Sequence, residues 1–82
     1  MINVLFFASI RETLGLERTE VACGEACSVA DVVLSLRQRG DVWNDILGNA
    51  DLLCSVNQEL VAMDAQLSDG DELGLFPPVT GG

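Results

Sequence analysis

The chain has 82 residues, 49% of them apolar, with thirteen acidic side chains, four arginines, no lysine, no histidine and a formal charge of −9. A chain this size hides only about 60 to 65% of its unfolded surface and supports one core rather than two. No apolar run reaches the ~18 residues of a membrane span and no charged segment precedes a hydrophobic stretch as in a secretory leader, so a soluble, cytoplasmic protein is expected.

Ile2, Val4, Phe6 and Ala8 share one parity while Asn3, Leu5 and Phe7 share the other, which predicts a strand with one fully apolar face and one mixed face. Ser9 is a candidate cap for a short helical turn through Arg11, Glu12 and Leu14 that Gly15 ends, and Arg18 to Ala22 reads as a second strand, antiparallel to the first. Ser28-Val29-Ala30-Asp31 has the form of a capping box with aspartate as its acid. Val29, Val32, Val33 and Leu36 then lay one apolar stripe along the main helix. Arg37 and Arg39 complement its dipole and Gly40 terminates it.

Asp41 is the expected cap of a further short helix carrying Val42, Trp43, Ile46 and Leu47, closed by Gly48, with Trp43 covering an edge of the core. Leu52 to Val56 reads as a strand, Asn57-Gln58-Glu59 as a polar turn and Leu60-Val61 as a brief strand. Ser68-Asp69-Gly70-Asp71 turns into a last strand, Glu72 to Phe76. The order predicts an α+β domain over residues 1–76, with a mixed sheet of about five strands and one main helix on one face. The other face stays partly solvated unless a partner covers it.

Alternation places Leu73 and Leu75 together and sets Phe76 apart from them, just as it sets Phe7 apart from Val4 and Phe6. Both rings are candidates for the open face, with imperfect alternation and partial burial as the alternative. If Leu60 lies beside them, an apolar patch adjoins the root of the tail, and such patches mark protein contacts. Arg11 either meets a partner near Phe7 or forms a solvated pair with an acid such as Glu12.

The charge of −9 repels nucleic acid and anionic lipid and excludes a basic phosphate-binding stripe; it either serves solubility alone or draws basic protein partners. Cys23, Cys27 and Cys54 are an odd number in a chain without secretory features, which argues against a disulfide framework. No histidine is present to complete a zinc site with the Cys23–Cys27 pair. Cys54 fits a strand as a small buried hydrophobe.

The chain ends Pro77-Pro78-Val79-Thr80-Gly81-Gly82. Two prolines favour extended polyproline II, and residues 79–82 reach roughly 13 Å at about 3.3 Å per residue. Gly81 and Gly82 carry no side chain that would block a narrow channel, and Gly82 presents an unhindered carboxyl carbon. The segment 77–82 reads either as a frayed stub or as an arm that delivers its terminus to another protein.

Ile2-Asn3-Val4-Leu5-Phe6-Phe7-Ala8, Arg11-Glu12, Val56-Asn57-Gln58, Asp69-Gly70-Asp71-Glu72 and Phe76 to Gly82 together resemble the small subunit of molybdopterin synthase. The ending carries most of the specificity. The resemblance implies a ubiquitin-like β-grasp fold and a sulfur carrier that has no catalytic base and no bound cofactor of its own. An ATP-dependent adenylating enzyme activates the carboxylate of Gly82, and a sulfur-donor protein supplies the sulfur of a thiocarboxylate. The charged tail then enters the large synthase subunit of a heterotetramer, where the sulfur goes to cyclic pyranopterin monophosphate. Carried onto this chain, Gly82 bears the sulfur and Gly81 passes the channel with it. Phe7, Leu60, Phe76 and Arg11 contact the partner, as do Pro77, Pro78, Val79 and Thr80 of the tail. Rival readings are a carrier for thiazole or tRNA thiolation, a ubiquitin-like modifier of lysines, and a docking module with an inert end. A β-grasp iron–sulfur protein is a further rival, disfavoured because three cysteines at these spacings cannot supply the four thiolates of a plant-type cluster.

Overall fold

The computed structural model describes residues 1–24, 27–49 and 51–78. Ten elements follow in order: β1 (Ile2–Phe6), α1 (Ala8–Leu14), β2 (Arg18–Val21), β3 (Cys27–Ser28), α2 (Val29–Arg37), α3 (Asp41–Leu47), β4 (Leu53–Val56), β5 (Glu59–Val61), β6 (Gln66–Leu67) and β7 (Glu72–Phe76). Five strands form one mixed sheet in the order β2-β1-β7-β4-β5, and β3 pairs with β6 in a separate ribbon. The first and last strands of the sheet lie parallel at its centre, Val4 beside Leu73 and Phe6 beside Leu75. Every other pairing in the sheet is antiparallel.

The alternation of β1 is realised without exception: Ile2, Val4 and Phe6 are buried, and Asn3 and Leu5 are half-exposed. On the covered side these residues meet Leu73, Leu75 and Cys54 and the stripe Val29, Val32, Val33 and Leu36 of α2. The α+β architecture and the antiparallel β1–β2 pair therefore stand as expected. So does the capping box: Ser28 Oγ accepts from the Asp31 N–H at 3.2 Å, and Asp31 Oδ2 accepts from the Ser28 N–H at 3.0 Å. Trp43 covers the core edge by meeting Phe6 edge-on, with ring centroids 5.7 Å apart.

Several boundaries differ from the sequence expectation, each for a local reason. Ser9 does not cap α1. Phe7 holds that position in extended conformation, donating its N–H to Leu75 O and accepting from the Ile10 and Arg11 N–H groups, so the helix begins at Ala8. α2 ends at Arg37 with Gln38 as C-cap, and Gly40 instead opens α3, where Asp41 is the first helical residue rather than the cap. Arg39 thus lies beyond the helix end and ties it to β2, donating to Thr19 Oγ1 at 2.9 Å and to Glu20 O at 3.1 Å; its guanidinium also stands 5.3 Å from the Trp43 ring centroid. Glu59 belongs to β5, because Asn57 and Gln58 alone make the hairpin turn, both at positive φ (50° and 74°), the backbone of a two-residue primed turn. The ribbon of β3 and β6 escapes pattern reading altogether, since two residues show no period.

Removing the cap tests the local account of α2. Ser28→Ala should cost about 1 kcal/mol of unfolding free energy, measured by urea denaturation, with the native circular dichroism spectrum retained.

Candidate functional site

The three helices described here leave one side of the five-stranded sheet uncovered, and the residues on that side fall into rows because cross-strand partners share a face. The central row runs Arg18, Leu5, Gly74, Ser55, Leu60 across all five strands. Toward the strand starts lies a polar row, Glu20, Asn3 and Glu72, and the Glu72 N–H is held by Asn57 Oδ1 at 3.1 Å. Toward the end of β7 the surface is apolar. Leu53 stands opposite Phe76, and Phe76 stacks on Phe7 with ring centroids 4.5 Å apart and planes inclined by only 6°.

Two adjoining hollows mark this surface. One of about 450 Å³ is lined by Leu5, Phe7, Ser55, Gln58, Leu60, Glu72, Gly74 and Phe76. The other, about 300 Å³, is lined by Ala8, Leu53, Leu60, Phe76, Pro77 and Pro78, where the chain leaves the sheet. Leu60 and Phe76 belong to both. Leu60 is 73% exposed, a large value for leucine, and Leu53 is also exposed. An apolar surface that a small acidic protein leaves in water at one place marks a contact for another protein.

The structure therefore brings Phe7, Leu60, Phe76, Pro77 and Pro78 together. Arg11 does not join them: it is exposed on α1 and lines neither hollow, and its link to Phe7 is the 3.4 Å bond from its own N–H to the Phe7 carbonyl. Val79, Thr80, Gly81 and Gly82 lie outside the described residues. Leu53, Ser55, Gly74 and Arg18 were not picked out by sequence reasoning. Leu53 was legible in principle, since it alternates with Cys54; the others needed the register.

No group of histidine, cysteine or acidic side chains among the described residues is arranged to hold a metal ion, and no described helix is long and apolar enough to cross a membrane. The cysteines are free thiols away from the open face. Cys54 is 3% exposed and donates to Val61 O at 3.2 Å, and burial raises its pKa. Burial, with a contribution from Cys23, pushes the Cys27 thiol up to about 11.

Comparison with known proteins now gives this geometry a setting. A family model described as ThiS family matches residues 4–82. The chain belongs to the ThiS family. It is 46% identical over 82 residues to the molybdopterin synthase sulfur carrier subunit of Escherichia coli (strain K12), covering all of both chains. Among solved structures it resembles SAMP1 from Haloferax volcanii, at 26% identity and a TM-score of 0.83, covering 99% of this chain and 98% of that one. It also resembles a chain in the complex of subunits 1 and 2 of the molybdopterin-converting factor from Helicobacter pylori 26695, at 27% identity, a TM-score of 0.68 and coverage of 99% and 97%. The fold of this ThiS-family chain is thus the ubiquitin-like β-grasp that the resemblance implied, in agreement with the α+β element order.

The thiols provide a check on the account of the interior. At pH 8 in native buffer, Cys27 and Cys54 should resist a disulfide-exchange reagent while the half-buried Cys23 reacts, and unfolding should release all three. Because folding raises the Cys27 pKa from 9.0 to about 11, the stability that depends on its protonated form is complete below pH 9. It should be lost as pH rises from 9 to 11, visible as a falling urea midpoint.

Proposed function

We propose that this chain is the sulfur-carrier small subunit of a molybdopterin synthase, acting through a thiocarboxylate on Gly82. The observation that carries the reading is the position of the apolar surface: Phe7, Phe76, Leu53 and Leu60 surround the exit of Pro77-Pro78, so a protein that covers them receives the tail at the same time. The 46% identity to a sulfur carrier along the whole chain supports it.

The chemistry follows from the weakness of a carboxylate as an electrophile. An adenylating enzyme joins a Gly82 carboxylate oxygen to the α-phosphorus of ATP as pyrophosphate leaves. Sulfur from a donor protein then displaces AMP, forming the acyl–sulfur bond. In the large synthase subunit that sulfur bonds to the pterin precursor and water takes its place on the acyl carbon, so the Gly82 carboxylate returns for another cycle; two such transfers complete the dithiolene. The carrier contributes position, not acid–base catalysis. Its negative charge favours encounter with basic surfaces on both partners and affects association rate more than final affinity.

A second reading, a ubiquitin-like modifier that forms isopeptide bonds, is favoured by the likeness to SAMP1, the small archaeal modifier protein 1 of Haloferax volcanii. Intact mass spectrometry after incubation with ATP, the adenylating enzyme and a sulfur source separates the two. The sulfur carrier exchanges one oxygen for sulfur and loses it again when the large subunit and pterin precursor are added, whereas the modifier accumulates a covalent protein adduct. One residue appended after Gly82 should abolish the exchange and leave folding intact; continued sulfur loading of that variant would refute the mechanism.

The face itself is tested at its most exposed point. Leu60→Asp should keep the unfolding free energy within about 0.5 kcal/mol of the parent, because the side chain is largely in water. It should weaken binding to the large subunit at least about tenfold by calorimetric titration.

A further inference from the structure

Gly74 occupies the middle of the open face, with Leu5 on one neighbouring strand and Ser55 on the other. Its backbone does not require glycine, since the positive-φ glycines among the described residues are Gly15 and Gly70. Mid-strand glycine is otherwise unfavourable, having more freedom to lose on folding and nothing to pack. The reason for it lies in its neighbours. A Cβ at this position would stand 2.6 Å from Ser55 Oγ and 3.2 Å from both Phe7 Cε2 and Phe76 Cε1. The first distance is closer than such atoms approach, and the other two require each ring to yield.

The rings have little freedom to retreat. The backbone of Phe7 is held by its N–H to Leu75 O and by its carbonyl to the start of α1, so the ring moves only by rotating out of the stack. Phe76 precedes Pro77 and lines the hollow at the tail exit, so a displaced Phe76 reshapes that hollow as well. Ser55 is 7% exposed and pairs with Leu60 on its far side.

We propose that Gly74 and Ser55 are a size-matched positioning pair: together they set the floor of the open face and let Phe7 and Phe76 lie flat against each other in the form the large synthase subunit accepts. This inference rests on the docking role given to the face under Proposed function. It assigns the shape of that face to two small residues beneath it. Enlarging one requires shrinking the other.

The test is a four-member cycle of the parent, Gly74→Ala, Ser55→Ala and the double variant. Two readouts are needed: the ring-proton resonances of Phe7 and Phe76 in the free proteins, and affinity for the large subunit by calorimetric titration. Gly74→Ala should shift both sets of resonances and weaken binding about tenfold, the scale of one disrupted aromatic pair, with Ser55→Ala supplying the fourth corner of the cycle. The double variant, relieved of the 2.6 Å contact but not of the two ring contacts, should recover part of the resonance shift and part of the lost affinity, a non-additivity expected only of groups that touch. It should also be more stable than Gly74→Ala, because the closest of the three contacts is gone.

Parental resonances and affinity in Gly74→Ala, with Ser55 merely rotated aside, would overturn the proposal. A double variant no better than Gly74→Ala would do the same. Should Gly74→Ala not fold, the double variant decides: recovery of folding and binding supports the pair, and failure rejects it. If the parent itself does not bind the large subunit, the docking role fails, while the resonances of the four free proteins still judge the pair.

Discussion

The parallel pairing of β1 with β7 is the constraint from which the rest follows. It joins the first strand to the last, buries Val4, Phe6, Leu73 and Leu75 against the helices, and sets Phe7 beside Phe76 on the opposite side. It also decides where the chain leaves the domain. Since Pro77 follows β7 directly, the tail departs from the centre of the sheet and not from an edge, beside the exposed Leu53 and Leu60. Such a pairing forms only after everything between the two strands has been brought round, so the local hairpin and helix must be compatible with it before it contributes.

A sheet covered on one side has a second side to dispose of. In this chain that side is graded: acidic and amide groups at the strand starts, small residues and Leu60 in the middle, aromatic rings and prolines at the tail exit. Antiparallel sheets commonly leave one face in water with polar side chains upon it, and the departure from that rule here begins at Leu5 and Leu60 in the middle and grows toward the tail. The same gradient separates two tasks. Under the function proposed above, chemistry at Gly82 would need a slender terminus, and the apolar face a rigid platform. The platform's rigidity comes from backbone bonds at Phe7 and from close packing around Gly74.

The interior is correspondingly plain. Cys27 and Cys54 serve as small apolar residues whose thiols burial keeps protonated. The two arginines near the end of α2 are occupied within the fold, Arg37 with Asn44 and Arg39 with β2 and Trp43. Arg18 stands at the rim of the open face opposite Leu5, and Arg11 stands apart from it on α1. Arg11 was the cation singled out from the sequence as a candidate partner contact, and the register places Arg18 in the central row of this surface.

What the amino-acid sequence determined by itself is whatever depends on neighbours in the chain. Period-two burial in β1, the Ser28–Asp31 box, the stripe on α2 and the outward direction of Phe7 and Phe76 are all set within a few residues, and each was legible there. Helix starts at Ala8 and Asp41 were not, because the bonds and turns that define them involve Leu75 and Gly40 in roles propensity does not encode. Nor were the β3–β6 ribbon, the meeting of Leu53 with Phe76, or the reason for Gly74. Those depend on register between strands up to 70 residues apart in sequence, as Asn3 and Glu72 nearly are, and register is chosen by the whole core at once. Local pattern decided which face each ring would take; only the assembled sheet decided that the two rings would share it.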